Sequence, residues 1–470
     1  MRDHYDIAIA GAGPAGMAAA TVAAEHGASV VILNEQRRAG GQIYRGVGSQ
    51  TIKNRDILGD DYYVGRGLVT ELEQSSVEHL AETTVWQVSR DREIGISKDG
   101  VARLLTADEV IIATGAQERP FPIPGWTLPG VMNAGAAQVL LKSAGVAAPD
   151  AVFIGTGPLI YLVAHQYMKA GMPVRAILDT TPRANMFSAL PHLPAALGSL
   201  GVLMKGRRWI GNLRAAGIPF VKDIDDVKLE GDNAVSMVAY KRRGAWQRIE
   251  TDQVFLHQGV VPNVNLAMAA GCGHRWDEAQ LCWHAVTDEW MESDIARIAI
   301  AGDGVGIGGA RAAEYRGRIA GYGALHRTGH INATTRDRLA EPFRKALKSE
   351  MRIRPFLDAM FRPARQFRIP TDDTTTVCRC EEVPAKLVRE SVDLGCLGPN
   401  QLKSFSRCGM GPCQGRFCTL TVSEMIADQR GVSMDEVDAM RLRPPVKPLM
   451  LAELAELVAE PQQAPAAESE

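Results

Sequence analysis

Apolar runs and glycine turns alternate near the start of the chain. Residues 5–10 form a short apolar run that leads into GAGPAG and a stretch of small residues, and a second apolar run at 29–34 ends at Glu35. Short apolar runs bounded by glycines predict buried strands, and the small-residue stretch between them predicts a helix. The pattern therefore predicts a strand–turn–helix–strand unit of the dinucleotide-binding type.

The same pattern recurs in the middle of the chain. The apolar run 151–154 leads into GTGPLIYLVAHQYMKAG, and the next run, 174–178, ends at Asp179. Asp179 follows Gly155 by the same number of residues as Glu35 follows Gly11. A third apolar run at 298–301 precedes GDGVGIGGA and predicts a return to the first domain. We therefore predict an α/β fold with two nested dinucleotide-binding (Rossmann-like) domains.

The domain boundaries follow from these runs and from composition. Residues 335–367 are charged and lack glycine, which predicts a helical linker. The final AEPQQAPAAESE is rich in Pro, Ala and Glu, which predicts disorder. The predicted units are residues 1–125 with 290–330, a second domain at 126–289, a linker at 331–370, a cysteine-bearing domain at 371–430 and a tail at 431–470.

Composition narrows the function classes. The chain has 470 residues, 46% of them hydrophobic and 23% charged, and a formal net charge of −2. This balance gives no electrostatic case for nucleic acid or for an anionic membrane surface. We find no apolar run of the roughly 18 residues that a spanning helix needs. The N-terminus leads directly into a strand and not into a signal peptide, so we expect a cytoplasmic protein.

The first glycine turn carries the motif G-x-G-x-x-G between a predicted strand and a predicted helix. Its first glycine permits the tight turn, its second lets the backbone approach a pyrophosphate, and its third lets helix and strand pack closely. The helix N-terminus offers free N–H groups to the phosphates, and Glu35 can accept hydrogen bonds from ribose hydroxyls. The residues predicted to bind the nucleotide are Gly11, Gly13, Pro14, Ala15, Gly16 and Glu35.

Three later features favour FAD over NAD in this first unit. Gly41 and Gln42 follow Glu35 closely, a predicted strand ends in Ala-Thr114-Gly115, and Asp303 stands at the end of the returning strand. In this order they resemble the large superfamily of two-dinucleotide-fold flavoproteins over residues 1–330. The resemblance implies FAD in the first domain.

The second glycine turn is less complete. Gly155 and Gly157 are present, but Ile160 stands where the third glycine should be. Asp179 suits an unphosphorylated ribose. An NAD(P)H site, another bound nucleotide and a retained fold with no ligand all stay open. Disulfide-reductase chemistry is excluded because no cysteine precedes Cys272.

Six of the eight cysteines lie between residues 378 and 418. Cysteines in a reducing compartment suggest metal binding, and four thiolates can hold a 2Fe–2S cluster. The pairs C-x-C and C-x4-C differ from the C-x2-C knuckles usual for structural zinc, so we favour the cluster. Glycines 409, 411 and 415 would let backbone N–H groups approach the sulfurs.

The motifs C-R-C-E-E and G-M-G-P-C-Q-G-R-F-C resemble those of the small bacterioferritin-associated-ferredoxin-like domain. Carried over position by position, the resemblance implies Cys378, Cys380, Cys413 and Cys418 as the ligands. Cys408 is an additional cysteine, and ligand exchange with it stays open.

Residues 1–430 resemble the alpha subunits of heteromeric amino-acid-type dehydrogenases, which include opine oxidases, hydroxyproline dehydrogenase and hydrogen cyanide synthase. The resemblance rests on the glycine turns, on GGQIY at 40–44, on HQGVVP at 257–262, on AGDGVGIGGARAAEYRGR and on the cysteine segment.

In those systems, the resemblance implies that a beta subunit with its own flavin oxidises the C–N bond of the substrate, in some cases beside a small third subunit. Electrons then pass through the alpha subunit, with FMN at the interface as in heteromeric sarcosine oxidase, to a respiratory or dye-type acceptor. This acceptor could hold the complex at a membrane peripherally. We name no catalytic residue in this chain.

Two alternatives remain open from the residues. One is a self-contained NAD(P)H-dependent FAD oxidoreductase that uses the second glycine turn. The other is a zinc-stabilised binding module at the C-terminus with no redox role.

Overall fold

The structure is a computed structural model that describes residues 1–49, 52–455 and 457. The end that the sequence predicts to be disordered, 459–470, lies outside the described residues.

The strands in chain order are β1 (His4–Ala10), β2 (Val30–Asn34), β3 (Glu78–Ala81), β4 (Thr83–Val88), β5 (Glu93–Lys98), β6 (Val101–Ile112), β7 (Ala116–Glu118), β8 (Val131–Asn133), β9 (Ala151–Thr156), β10 (Val174–Asp179), β11 (Phe220–Val221), β12 (Ile224–Glu230), β13 (Met237–Arg242), β14 (Ala245–Glu250), β15 (Val254–Gln258), β16 (Val260–Pro262), β17 (His274–Asp277), β18 (Cys282–Ala285), β19 (Ile298–Ile300), β20 (Thr376–Cys378) and β21 (Val383–Pro384).

The α-helices are α1 (Pro14–Glu25), α2 (Asp60–Tyr63), α3 (Gly65–Gln74), α4 (Ala134–Ala144), α5 (Pro158–Lys169), α6 (Ala184–Ala189), α7 (Leu193–Ala196), α8 (Leu200–Ala215), α9 (Asn265–Ala270), α10 (Ala310–Arg327), α11 (Ala333–Glu350), α12 (Arg354–Met360), α13 (Ala385–Asp393), α14 (Pro399–Ser406), α15 (Cys418–Arg430), α16 (Met434–Val437) and α17 (Leu451–Ala455). Short 3₁₀ helices span Arg55–Ile57, Leu190–His192, Leu197–Ser199, Gly302–Val305, Met351–Ile353 and Arg365–Phe367.

The first domain is built on a sheet with the strand order β3-β2-β1-β6-β5-β4, and β19 pairs with β6. Strands β3, β2, β1, β6 and β19 are parallel, whereas β4, β5 and β6 form an antiparallel meander. The apolar residues 7–10 of β1 and all of β2 are buried, as strands inside a parallel sheet require. The predicted first unit and the predicted return strand therefore meet in one sheet.

The second domain repeats the arrangement on a smaller scale. Its parallel sheet has the order β11-β10-β9-β15-β8, and a separate antiparallel sheet, β12-β13-β14, packs beside it. The prediction of a mixed α/β fold with two nested dinucleotide-binding domains is confirmed. The sequence patterns did not reveal the antiparallel strands, because their polar residues interrupt any clear alternation.

The chain crosses between the two domains on the antiparallel pair β7 and β16. After β16, helix α9 and the hairpin β17–β18 pack against the first domain, and Leu266, Ala270 and Ala285 join its apolar core. The structure thus places the return to the first domain near residue 263, whereas the sequence predicts 290. The reason is that α9 buries its apolar face on the first sheet before β19 begins.

Helices α1 and α10 pack closely over the first sheet. A Cβ atom at Gly317 would overlap the carbonyl oxygen of Ala15, and one at Gly321 would lie 3.0 Å from that of Ala19. Glycines on α10 therefore allow the backbone of α1 to approach, which fixes the position of the first glycine turn.

The predicted linker is helical, as α11 and α12 show, and the C-terminal segment folds into a small unit around the pair β20–β21 and helices α13 to α15. The core of this unit contains Cys378, Cys396, Cys408 and Cys418 beside aliphatic side chains such as Val422.

One stretch of the described chain, Ala184–Ala215, is long and apolar enough by length and composition to cross a membrane, and 11% of its most apolar window is buried. It contains α6, α7 and α8 and two 3₁₀ turns. Prolines, glycines and a histidine divide its apolar residues, so the sequence shows no continuous apolar run here.

Candidate functional site

A cavity of about 1190 Å³ lies where the two domains, the linker and the C-terminal unit meet. It exceeds the roughly 300–1,000 Å³ usual for a small-molecule site, so it has room for a large cofactor. The predicted FAD residues on its wall are Gly11, Gly13, Pro14, Ala15, Glu35, Gly41, Gln42, Thr114, Gly115 and Asp303.

The first glycine turn is held by close backbone contacts. A Cβ at Gly11 would lie 2.5 Å from the carbonyl oxygen of Ala113, and one at Gly16 would overlap the carbonyl oxygen of Gly11. Gly16 itself does not line the cavity; it lets α1 pack on β1. A side chain at either position would therefore force the turn and the helix apart.

The segment that contains Gly41 lies against the turn. Gly41 has a φ of +62°, and a Cβ on it would lie 2.9 Å from the Cα of Gly13. Buried Lys142 fixes this segment, because its Nζ donates to the carbonyl oxygen of Ile43 at 2.9 Å and to Oε1 of Gln138 at 2.8 Å. Burial, with a smaller contribution from nearby Arg45, lowers the pKa of Lys142 to about 7. No sequence motif indicates this role of Lys142.

Asp303 lies on the cavity wall, just after the returning strand β19. Its Oδ1 accepts hydrogen bonds from the N–H groups of Gly308 at 2.9 Å and Gly309 at 3.3 Å. The buried guanidinium of Arg316 donates to the carbonyl oxygens of Gly302 and Gly306, which steadies the loop around Asp303.

Glu35 stands at the end of β2, as expected, and has a partner from the far end of the chain. Nζ of Lys447 lies 2.7 Å from its Oε1, and Val446 and Lys447 both line the cavity. The C-terminal segment therefore covers the part of the cavity where Glu35 stands, which the sequence could not indicate.

The second glycine turn differs from the first. Gly157 lines the cavity, whereas Gly155 is packed so closely that a Cβ would overlap the carbonyl oxygen of His257. Asp179 is buried and does not reach the cavity. Its carboxylate accepts hydrogen bonds from the hydroxyl of Tyr161 at 2.8 Å and from the N–H of Thr181 at 3.0 Å.

The ends of β15 and β7 bring a histidine and a carboxylate together beside the second turn. Nδ1 of buried His257 lies 2.6 Å from Oε1 of Glu118, whose Oε2 accepts from the N–H of Gly135 at 2.9 Å. Nε2 of His257 faces Gly157, and Oε1 of the next residue, Gln258, is buried without a hydrogen-bond partner in the described part of the chain. Most buried polar atoms in native proteins have a hydrogen-bond partner, so this acceptor is free to bind a donor that enters the cavity.

Three cysteine sulfurs form a tight buried group. The Sγ atoms of Cys378, Cys408 and Cys418 lie within 4.8 Å of one another. Hydrogen bonds from the thiols of Cys408 and Cys418 hold the pKa of Cys378 far below its usual range, and the N–H of Gly409 acts in the same direction. The environment of Cys378 thus favours a thiolate, which is the form that binds metal.

Cys380 and Cys413 lie beside each other next to this group. Burial raises the pKa of Cys413, as does its neighbour Cys380, while the N–H groups of Phe417 and Gly415 lower it. A Cβ at Gly411 would overlap that of Cys380, so the GMGP loop passes directly over this cysteine. Two of the four predicted ligands, Cys378 and Cys418, belong to the tight group, and its third member is Cys408. The other two, Cys380 and Cys413, lie beside each other outside it.

Cys272, Cys282, His274 and His284 do not form a comparable group. Sγ of Cys282 lies 3.6 Å from Nε2 of His284, and His274 contacts the carbonyl oxygen of Cys272 through Nδ1 at 2.8 Å. Within the described residues, the only close group of three or more potential metal ligands is the one at Cys378.

The loop between Cys413 and Cys418 reaches the large cavity. Arg416 and Phe417 form part of the cavity wall, and Nε2 of Gln117, on the crossing strand β7, donates to the carbonyl oxygen of Arg416 at 2.8 Å. The cysteine unit and the first glycine turn therefore border one space.

Comparisons with known proteins agree with this architecture. Residues 5–317 match the family model of pyridine nucleotide-disulphide oxidoreductases, and residues 374–457 match that of the sarcosine oxidase A3 domain. The opine oxidase A subunit of Rhizobium meliloti is 43% identical over 97% of this chain and 88% of its own length. The hydrogen cyanide synthase subunit HcnB of Pseudomonas protegens is 30% identical over 94% of this chain and 95% of its own length.

The L-proline dehydrogenase of P. horikoshii has a similar fold, with a TM-score of 0.72 at 20% sequence identity over 96% of this chain and 79% of that chain. The resemblance inferred from the sequence is confirmed. The predicted FAD residues and the cysteine unit border the same cavity. Together with this degree of sequence identity, this arrangement shows that the chain is an oxidoreductase that belongs to the family of opine oxidase A subunits.

Proposed function

We propose that the chain is the electron-transferring FAD and 2Fe–2S subunit of a heteromeric dehydrogenase. The complex would oxidise the C–N bond of an opine, imino acid or amino acid, with the substrate bound on a companion beta subunit. The observation that carries the proposal is the shared cavity, because Phe417, next to Cys418, lines the same space as the first glycine turn. Bound FAD takes up electrons in pairs, and a bound cluster passes them on singly.

The residues present fit FAD in the first domain. The turn at Gly11 to Gly16 offers backbone N–H groups at the start of α1, and Pro14 at the first helical position costs no hydrogen bond, since that N–H has no partner within the helix. Glu35 can accept from ribose hydroxyls, and Asp303 can accept from a sugar-alcohol chain at the opposite end. These residues bind and orient the cofactor, and Val446 with Lys447 shields it from water.

The donor set fits a 2Fe–2S cluster better than zinc. Five cysteines converge, and N–H groups from Gly409, Gly415 and Phe417 point at their sulfurs. Such N–H donors stabilise the negative charge of bridged thiolates and tune the potential of iron–sulfur sites. We propose Cys378, Cys380, Cys413 and Cys418 as the ligands. Cys408 then lies against the cluster as a neighbour.

The second glycine turn is proposed as a nucleotide site that does not deliver hydride. Gly155 and Gly157 provide the turn, while His257 Nε2 and Gln258 Oε1 supply a donor or acceptor at its rim. Asp179 could serve a ribose only after release from Tyr161. This engagement of Asp179 favours the electron-transferring role over the self-contained NAD(P)H-dependent oxidoreductase.

The companion subunits are also proposals. Relatives of this chain are called subunits in their names, which supports the presence of a companion subunit. We propose that this companion is a beta subunit with its own flavin and that a small third subunit joins the complex. FMN at the interface, a respiratory acceptor and a cytoplasmic location with peripheral attachment at that acceptor belong to the same proposal.

The test uses the purified chain alone and in its complex. We expect FAD, iron and acid-labile sulfide in the isolated chain, no oxidation of opines or proline with a dye acceptor, and no rapid bleaching of the flavin by NADH or NADPH under anaerobic conditions. Substrate turnover by the chain alone would overturn the division of labour. Bleaching by NADH would favour the self-contained enzyme, and zinc without iron would favour a binding module.

The ligand set has its own test. If the four proposed ligands are correct, Cys408→Ser retains iron and sulfide, whereas Cys413→Ser loses both. The reverse result would assign Cys408 in place of Cys413.

A further inference from the structure

The stretch from α6 to the start of α8 exposes large apolar side chains. Seven of them, with exposed fractions between 47% and 69%, form what we call the outer apolar face: Met186, Phe187, Leu190, Leu197, Leu200, Val202 and Met204. Leu190, Leu197 and Met204 are seven residues apart, and Met186, Phe187 and Leu200 lie three or four residues from one of these along the chain. In a helical run this spacing brings them to one side.

The side of this stretch that packs on the protein carries small residues. Asn185, Ala189 and Ala196 are the buried positions of α6 and α7. The Asn185 side chain anchors the stretch by donating to the carbonyl oxygens of Met360 at 3.2 Å and Arg362 at 2.8 Å. Large apolar side chains usually face the protein interior. Here the alanines face the protein, whereas methionine, phenylalanine and leucine side chains face the solvent.

The exposed apolar area is large for a surface left in water. About half of each of seven large side chains amounts to several hundred Å², which is the upper range of apolar patches on monomers and often marks a binding surface. It is also comparable to the roughly 800 Å² that each partner contributes to a stable interface.

Charge distinguishes a protein partner from a lipid surface. Residues 184–204 contain no Asp, Glu, Lys or Arg, and the basic residues 205, 207 and 208 follow only at the edge. Helices that lie on membranes carry Lys and Arg along their polar face. Interface cores between subunits instead lack charge and are rich in Met and aromatic residues, with Arg tolerated. The composition of the outer apolar face matches that of an interface between subunits.

The outer apolar face lies one layer away from the cavity. Helix α12 backs its α6 and α7 part, and α5 contacts α8. Leu357 of α12, with Phe361 and Pro363 that follow, lines the cavity. A partner seated here would stand directly behind the cavity wall, close to the cofactor that must receive its electrons.

We propose that the outer apolar face is the docking surface for the companion, substrate-oxidising subunit. This inference rests on the proposed function, because that function requires a companion subunit. The inference adds the surface on which the companion binds. The face should bury Phe187 and Leu190 as central anchors, with Arg207 and Arg208 at its rim.

The test compares two double variants of the tagged chain, co-expressed with its companion subunit. In Phe187→Glu/Leu190→Glu, carboxylates replace the proposed anchors; the control, Leu104→Glu/Trp246→Glu, alters two apolar side chains on other surfaces that are 42% and 45% exposed. Loss of two central anchors should weaken association at least about 100-fold. We therefore expect the first variant to purify without the companion and the control to purify with it, as measured by native mass spectrometry.

A photo-crosslinking residue at position 187 of the native complex provides a second measurement that does not depend on folding of a variant. We expect a crosslink to the companion subunit from position 187 and none from position 246. Equal co-purification of the companion with both double variants, or crosslinks from 187 only to a second copy of this chain, would overturn the docking proposal.

Binding of the isolated wild-type chain to phosphatidylglycerol vesicles, lost in Phe187→Glu/Leu190→Glu while the companion is retained, would also overturn it, in favour of a lipid surface. Failure of the proposed function has a different signature: no companion co-purifies with the wild-type chain, and that chain oxidises substrate alone.

Discussion

Gly41→Ala tests whether the contact between the two glycine segments is part of the FAD site. The substitution has two costs. A non-glycine residue at the φ of +62° loses about 1–2 kcal/mol in the left-handed region. The new Cβ would also lie 2.9 Å from the Cα of Gly13, whereas carbon atoms in contact are about 3.5–4.0 Å apart, so the two segments must separate.

Gly27→Ala is a matched control for the first cost. Gly27 has a φ of +85° and no heavy atom within 4 Å of a Cβ built on it. It ends the turn after α1, at the opposite end of the helix from the cavity. The control therefore carries the backbone cost without a collision, and the difference between the two variants isolates the separation of the glycine segments.

Relief of such a collision costs about 1–3 kcal/mol. Because the backbone of Gly13 borders the cavity, we expect this cost to appear in FAD binding, as a rise in Kd of about 5- to 150-fold for Gly41→Ala relative to Gly27→Ala. Calorimetric titration of the deflavinated chains with FAD measures the Kd, and urea unfolding of the same samples measures stability. Equal FAD affinity in the two variants would refute the assignment of this contact to the cofactor site.

Three further results are expected. Tyr161→Phe removes a hydrogen bond to the buried Asp179 carboxylate and should lower the free energy of unfolding by about 1.5–3 kcal/mol in urea titrations; an unchanged value would mean that the N–H of Thr181 and the ammonium of Lys222 satisfy this carboxylate without Tyr161. Cys378→Ser should abolish iron and sulfide binding, whereas Cys396→Ser, also buried but outside the close cysteine group, should retain both. Arg327→Gln leaves the Glu109 carboxylate buried without its cation and should cost about 3–5 kcal/mol at neutral pH. Burial already raises the pKa of this carboxyl, so the variant should regain stability as the pH falls toward 5 and Glu109 is protonated; melting curves that show the same deficit at pH 5 and pH 8 would contradict this account.

The features that the sequence predicts well are local ones. The first glycine turn, the strand before it and the acid at Glu35 are close in sequence, and hydrophobic period, turn chemistry and helix N-terminal chemistry agree there. The same holds for the second unit. The nested order of the domains follows because a third apolar run before Asp303 needs a sheet to join, and the first sheet accepts it beside β6.

The features that the sequence does not reveal are contacts between distant segments. Lys447 meets Glu35 across most of the chain, and His257 meets Glu118 across 139 positions. Each partner is an ordinary polar residue in its own segment, and only tertiary packing gives it a role. The outer apolar face was missed for a related reason: periodicity identifies an amphipathic helix, but not which side of it faces the protein.

The cysteine unit depends both on local sequence spacing and on contacts between distant segments. Spacing alone yields two pairs and an unassigned Cys408, since a C-x4-C loop can present its sulfurs in several ways. The fold reduces this freedom by burying Cys408 and Cys418 against Cys378, while Cys380 remains exposed beside Cys413. Burial does not separate ligands from neighbours, because Cys378 and Cys418 are as buried as Cys408. The choice of Cys380 and Cys413 over Cys408 therefore rests on the resemblance of the two motifs, and the metal content of Cys408→Ser and Cys413→Ser decides it.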